Sequence, residues 1–280
     1  MNLIKKVLVS LFNFIRYNML AIYSIRNLSI LKRNTNLKNK YSGRVFILAT
    51  GSSVGEMDLS GLKKEHTIGV NRFFLHPQYE NLDVDFFTCI VDWNYDKLWS
   101  NSWIVEMCFL KSKRSMKTFL HSSAFTYITN DKVDYEYRNK KSFFNKDNIH
   151  YVISGGSLLS ADIIQNDIAK PCNIMSGSLY FSIGLAIYLG FDEVYLLGVD
   201  NSKHPMRVGH FYDGLDEVWD KDRLNSGPNP NQYNDMLDKQ KKINKFAIEN
   251  NIKIFNVVDS DYTSPIFASI GRAEFMRLIK

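Results

Sequence analysis

From residue 44 onward the chain alternates short, continuous apolar runs with longer helical ones. The runs at 45–49 (VFILA), 67–70 (TIGV), 86–91 (FFTCIV) and 193–198 (EVYLLG) are bounded by turn residues and lack the polar alternation of a half-exposed strand. They predict strands buried on both faces. A further strand is expected at 252–257, with shorter ones at 106–110 and 151–153. Between them, 176–189 (SGSLYFSIGLAIYL) reads as a helix rich in small and apolar residues and ended by Gly190. A second helix is expected at 239–250 and a short one in 264–280. Parallel neighbours need crossover connections, so this alternation predicts an α/β fold with a doubly wound, mostly parallel, Rossmann-like sheet.

Two segments break the rhythm. Residues 111–150 are polar and aromatic with weak periodicity, and read as an irregular excursion. Residues 201–235 follow the carboxyl end of a predicted strand and are dense in His, Tyr, Trp and Asp, which reads as a functional lid.

The first 43 residues differ from both. Residues 1–44 hold nine Lys/Arg and no acidic residue, leaving 26 basic against 29 acidic residues in the remainder, a net −3. The basic character therefore belongs to an N-terminal appendage and gives no argument for nucleic-acid binding by the body of the protein. At helical spacing, Leu3, Ile4, Val7, Leu11, Phe14, Ile15, Ile22 and Ile25 gather opposite Lys5, Lys6, Arg16 and Arg26, with Val9, Phe12 and Leu20 intruding on the polar half. The longest charge-free stretches, 7–15 and 17–25, are too short to span a bilayer about 30 Å thick. Lys5-Lys6 and the apolar run look like the front of a secretory signal, but no small-x-small cleavage site follows. The expectation is a helix lying on an anionic membrane surface; the plainer alternative is a helix packed on the domain or on a partner chain. The chain thus divides into a basic amphipathic segment, 1–43, and a Rossmann-like domain, 44–280, with lid 201–235.

Composition narrows the class. A chain of 280 residues, 45% hydrophobic and 14% aromatic, buries a full core and is neither disordered nor collagen-like. Its three cysteines, Cys89, Cys108 and Cys172, are odd in number and widely spaced, which suits a reducing compartment and forms no zinc pattern.

Candidate chemistry gathers at the expected strand ends. Gly51-Ser52-Ser53 closes the first strand with a small-residue turn whose N–H groups can face a phosphate; the alternative is a tight strand–helix turn. The segment is neither GxGxxG nor a Walker loop. Asn71 and Asp92 follow the second and third strands, where open α/β sheets bind ligands, although Asn is also a common turn former. Ser176, Gly177 and Ser178 open the strongest helix, so they either hold an anionic group or cap the helix. Asp200 ends the strand at 193–198. The lid carries His204, His210 and Tyr212; of these, His210 lies between Asp200 and Tyr212 and is the candidate general base.

These residues in this order resemble the bacterial sialyltransferases of lipooligosaccharide synthesis, glycosyltransferase family 42. They also resemble the wider clan that includes hydroxymethylpterin-pyrophosphokinase-like domains. The resemblance rests on FILATGSSVGEMDLSGLKKEHTIGVNRFF (46–74), MSGSLYFSIGLAIYLGFDEVYLLGVD (175–200) and KINKFAIENNIKIFNV (242–257), and spans residues 44–258. It implies that Gly51, Ser52 and Asn71 contact the nucleotide of a CMP-activated sugar and that Ser176 and Gly177 approach the phosphate or the sugar's carboxylate. It further implies that lid tyrosines hydrogen-bond the leaving phosphate, in a metal-independent, inverting reaction without a cofactor. No Asp-x-Asp closes a strand here, since Asp83-Val84-Asp85 precedes one. The family's catalytic His at the end of the lid is replaced by Tyr233-Asn234, and its Arg before the Ser-Gly pair by Asn173, so the base role moves to His210.

The expected activity is transfer of sialic acid or a related acidic sugar from CMP to a saccharide or lipid-linked acceptor in surface-glycan or capsule synthesis. His210, Tyr212 and Tyr233 would serve catalysis at the cytoplasmic face of the membrane, and the chain is compatible with a homo-oligomer. Two alternatives stand beside it: a pyrophosphokinase using ATP and Mg²⁺ held by carboxylates such as Asp92 and Asp200, and an inactive nucleotide-sugar-binding assembly protein.

Overall fold

The computed structural model describes residues 28–90, 115–122, 148–154, 163–174, 177–200, 230–258 and 265–280, together with residues 7, 8, 11, 15 and 211. Among them are strands β1 (Arg44–Leu48), β2 (His66–Val70), β3 (Phe86–Cys89), β4 (Lys117–His121), β5 (Ile149–Val152), β6 (Glu193–Leu197), β7 (Lys253–Val258) and β8 (Ala268–Gly271). The helices are α1 (Leu28–Lys32), α2 (Ser178–Leu189), α3 (Pro230–Glu249) and α4 (Arg272–Leu278). The chain forms two compact units: Met1–Ser42 with Asp85–Gly190, and Gly43–Val84 with Phe191–Lys280.

The unit containing β1 carries five parallel strands in the order β2-β1-β6-β7-β8. The chain leaves β1 for β2 on one side and returns as β6 on the other. This is the topological switch that opens a crevice at the carboxyl ends of a doubly wound sheet. Central β1 is buried from Val45 to Leu48. The Phe46 ring stacks on Tyr195 at 5.1 Å and meets Phe275 of α4 edge-on at 6.0 Å. Burying such a ring contributes roughly 1.5–3 kcal/mol.

In the other unit β5, β4 and β3 lie side by side and parallel. Helix α2 is buried along its whole length apart from Leu179, as its uniformly apolar sequence requires. Residues 31–41 pack on this unit. Leu31, Asn34 and Leu37 are buried, and the Asn39 and Tyr41 N–H groups donate to the Tyr188 and Leu189 carbonyls at 3.0 and 2.9 Å. The clasp satisfies two of the carbonyls that a helix leaves open at its C-terminus. Asn34 fixes it: its Nδ2 donates to the Tyr151 and Ile168 carbonyls at 2.9 and 2.8 Å. Because Nδ2 is a donor, Oδ1 is the acceptor facing His150 Nδ1 at 2.9 Å, so Nδ1 carries a proton.

Burial first, then the nearby charges of Arg33 and Lys117, push His150 down to about 4. In the unfolded chain it titrates near 6.5, so between those values the unfolded state binds more protons. Stability is therefore complete above pH 6.5 and is lost on acidification toward pH 4, by about 3 kcal/mol. Urea titrations at pH 7 and 4.5 should show this loss in the wild type and a smaller one in His150→Gln; equal losses would refute it.

The differences from expectation concern boundaries and two strands. The predicted run 86–91 is a strand only to Cys89, and the expected strand at 106–110 lies outside the described residues. β4 arises within the segment read as irregular, and β8 precedes the C-terminal helix. α3 begins at Pro230, nine residues before the expected start, with Pro near the N-terminal position where its missing N–H and fixed φ are tolerated. The last six residues assigned to the lid are thus helical.

Candidate functional site

The switch-point crevice is built where β1 runs out. The β1–β6 ladder continues past the strands, with the Ala49 and Gly51 N–H groups donating to Leu197 and Gly198 carbonyls at 2.9 Å each. Two glycines let these backbones approach. A Cβ on Gly51 would stand 2.5 Å from the Gly198 carbonyl oxygen and 2.6 Å from the Asp200 carboxylate, while Gly198 itself holds φ +69°. Ser52–Val54 then form a single 3₁₀ turn.

The donors of this turn converge on a carboxylate of the chain itself. Asp200, buried at the end of β6, accepts from the Ser53 N–H at 2.9 Å and the Ser52 hydroxyl at 3.2 Å on Oδ2, and from the Ser53 hydroxyl on Oδ1. Arg272, the first residue of α4, donates from Nη2 to the Ser53 carbonyl at 2.7 Å. Asn256 of β7 supports the loop before Asp200 by donating to the Val199 carbonyl at 3.1 Å.

The arrangement changes the expected chemistry of Gly51-Ser52-Ser53. A phosphate seated at the turn would meet the Asp200 carboxylate, and two unit charges 4 Å apart repel by about 4 kcal/mol at an effective dielectric near 20. Three donors leave a carboxylate with capacity for about one further hydrogen bond. The turn therefore suits a ligand hydroxyl or amine that donates to Asp200.

Asn71 extends the same edge. The β1–β2 register pairs Leu48 with Gly69, and Asn71 directly follows the carboxyl end of β2. Asn71 adopts φ +51°, a conformation asparagine tolerates better than most residues. Its Oδ1 is buried and lacks a protein hydrogen-bond partner. An acceptor left so costs about 1–3 kcal/mol, recovered when a ligand N–H or O–H donates to it.

Within residues 201–229 the described residue is Phe211, and it is fastened to this turn. The Phe211 N–H donates to the Thr50 carbonyl at 3.1 Å, and its ring meets His76 and Phe73 edge-on at 5.3 and 6.2 Å. His76 is a brace: Nε2–H donates to the Val54 carbonyl at 3.0 Å and Nδ1 accepts from the Gln78 N–H at 3.2 Å. Burial lowers its pKa, with the Val54 bond acting against the shift. This neutral imidazole has both nitrogens engaged and is not a general base.

The remaining candidates fall elsewhere. Asp92, Ser176, His204, His210 and Tyr212 lie outside the described residues. Tyr233 stands half-buried in the first turn of α3. In the other unit, Gly177 holds φ +143° and precedes α2 without a side-chain cap. The Ser178 hydroxyl there accepts from the Ile90 N–H at 3.1 Å. Asn173 braces its own loop, with Oδ1 accepting from the Gln165 N–H at 2.9 Å and Nδ2 donating to the Ile163 carbonyl at 2.8 Å. Sequence reading missed Arg272, Asn256, His76 and Phe211. Their roles depend on long-range placement, and only the aromatic cluster Phe73-Phe74 followed by His76 gave a local hint.

No protein-family model and no curated protein sequence matches the chain. Among solved structures it is similar to the sialyltransferase CstII from Campylobacter jejuni in complex with a substrate analogue, cytidine-5'-monophosphate, with TM-score 0.42, 12% identity, and coverage of 83% of this chain and 86% of that one. A variant of CST-II in complex with CMP aligns with TM-score 0.38 and 14% identity over 82% of this chain and 88% of that one. The MAf glycosyltransferase from Magnetospirillum magneticum AMB-1 aligns with TM-score 0.47 and 14% identity over 88% of this chain but 38% of its own length. These structural neighbours are glycosyltransferases.

Proposed function

We propose that the chain is a glycosyltransferase that moves sialic acid or a related acidic sugar from a CMP-activated donor to a hydroxyl of a saccharide or lipid-linked acceptor in cell-surface glycan synthesis. The observation that carries the reading is the pair of acceptors at the switch point, the Asp200 carboxylate and the unpartnered Asn71 Oδ1. A nucleoside supplies the matching donors: ribose hydroxyls for Asp200 and an exocyclic base amine for Asn71. The sequence resemblance proposes Ser176, Gly177 and Ser178 as contacts for the donor's anionic groups, since small residues that open a helix offer N–H groups that favour negative charge.

In the reaction the acceptor oxygen attacks the anomeric carbon as its proton passes to His210. The bond from that carbon to the CMP phosphate oxygen breaks, and its electron pair leaves with the phosphate. Attack opposite the leaving group inverts the anomeric centre. Tyr212 and Tyr233 donate hydrogen bonds to the departing phosphate, so the chain's own donors meet the charge that develops there and no metal is required. His210 and Tyr212 are the chain neighbours of Phe211, whose bond to Thr50 ties this part of the segment to the nucleotide turn.

The test is thermal unfolding of the full chain with CMP, CDP, UDP, GDP or ATP, each with and without Mg²⁺. A ligand at one hundred times its Kd adds about 2.7 kcal/mol to the native state. CMP alone is expected to stabilise the protein. Selective stabilisation by ATP with Mg²⁺ would replace this reading with the pyrophosphokinase. In a donor screen, His210→Ala is expected to bind CMP normally and lose 10²–10⁴-fold in turnover, the range for a general base. Full activity in that variant removes His210 from the mechanism, and CMP binding without turnover under any donor favours an assembly protein.

A further inference from the structure

The N-terminal segment presents an apolar stripe to solvent. Val7, Leu8, Leu11 and Ile15 are helical, and their exposures are 59%, 60%, 53% and 49%. In the sequence, positions 7, 11 and 15 repeat every four residues and position 8 stands beside them, the spacing of one face of an amphipathic helix. Large aliphatic side chains about half exposed in such a row are uncommon on a soluble surface. The surrounding charge is one-sided, with nine Lys/Arg and no acidic residue in positions 1–44. An acidic protein groove would answer the charge, and a second copy of this chain would bring nine more cations to the same place. An anionic bilayer answers both features, with aliphatic side chains in the acyl boundary and cations at the headgroups.

We propose that this segment docks in the plane of an anionic lipid surface through Val7, Leu8, Leu11 and Ile15, with Asn34 as the fixed end of the tether. Sixteen residues separate Ile15 from Leu31, so Leu31 stands at most about 55 Å from the inserted stripe. From Leu31 onward the chain is bolted into its unit by the Asn34 bonds to Tyr151 and Ile168. The docked segment therefore holds that unit at the membrane.

Flotation of the full chain with phosphatidylcholine vesicles and with equimolar phosphatidylcholine–phosphatidylglycerol vesicles tests this without donor or acceptor, so its result is independent of the activity proposed above. Anionic vesicles are expected to bind the protein at least about tenfold better than neutral ones, and high salt to release it. The double variant Leu11→Glu/Ile15→Glu is expected to lose about tenfold or more of the binding, with thermal unfolding unchanged because both positions are exposed. Lys5→Gln/Lys6→Gln is expected to weaken binding and flatten its salt dependence. Equal binding to neutral vesicles, or wild-type binding by Leu11→Glu/Ile15→Glu, overturns the proposal. So does a wild-type protein that ignores vesicles but forms a dimer which the same double variant dissolves, since the stripe would then be an interface between copies.

Discussion

Asp200→Ala is expected to cost about 4 kcal/mol of stability and to abolish nucleotide-dependent stabilisation. The carboxylate takes one N–H and two hydroxyl donors from Ser52 and Ser53. Hydrogen bonds to an ionised partner contribute about 1.5–3 kcal/mol each, and the three here are part-buried. The Gly51 turn exists to bring these donors to Asp200, so its loss propagates to the Arg272 bond on the Ser53 carbonyl. Asp200→Asn separates folding from binding. A carboxamide oxygen still accepts from the Ser53 N–H, and the serine hydroxyls can turn to accept from its amide. Stability should fall by only about 1 kcal/mol, while the charged acceptor for a ribose hydroxyl is gone. Chemical denaturation and CMP-dependent thermal shift on the two variants read these effects apart. A CMP shift that survives Asp200→Asn intact would remove Asp200 from the ligand site and leave it a structural clamp.

Much of this framework was legible because buried parallel strands announce themselves. VFIL, TIGV, EVYLL and KIFNVV read as continuous apolar runs, and each is a strand within about one residue of its predicted ends. β4 was not legible because Lys117 and His121 flank a short TFL core inside a polar stretch. β8 was not because it lies last in the strand order and three of its four residues, Ala268, Ser269 and Gly271, are exposed. The start of α3 was hidden by the polar run Pro230-Asn-Gln-Tyr-Asn-Asp, which carries no apolar periodicity. The Gly51-Ser52-Ser53 turn was legible as a donor-rich turn. What it binds was not, because Asp200 stands about 150 residues away in sequence and only the β1–β6 pairing brings it there. A local pattern shows that donors exist; the partner that satisfies them is a property of topology.

Asn34→Ala is expected to destabilise the protein by about 4 kcal/mol, an effect no local pattern in a basic, polar stretch would foretell. The substitution removes the bonds that the side chain makes to the Tyr151 and Ile168 carbonyls and to the His150 Nδ1–H. Each such buried group costs about 1–3 kcal/mol when nothing replaces the bond. Neighbouring water cannot readily compensate, because Asn34 is fully buried and its surroundings include the Phe119 ring stacked on His150 at 5.0 Å. The Asn34 backbone carbonyl, which accepts from the Tyr188 hydroxyl at 3.1 Å, remains in the variant, so the loss isolates the side chain. Asn34→Asp is the sharper control: it keeps the acceptor for His150 and turns the donor facing two carbonyls into an acceptor. It should destabilise at least as much as alanine at pH 7. Deletion of residues 1–40 should behave worse than either, since it also removes Leu31, Leu37 and the Asn39 bond to α2. If Asn34→Ala unfolds at the wild-type midpoint, the clasp carries no stability, and the tether between the apolar stripe and its unit has no fixed end.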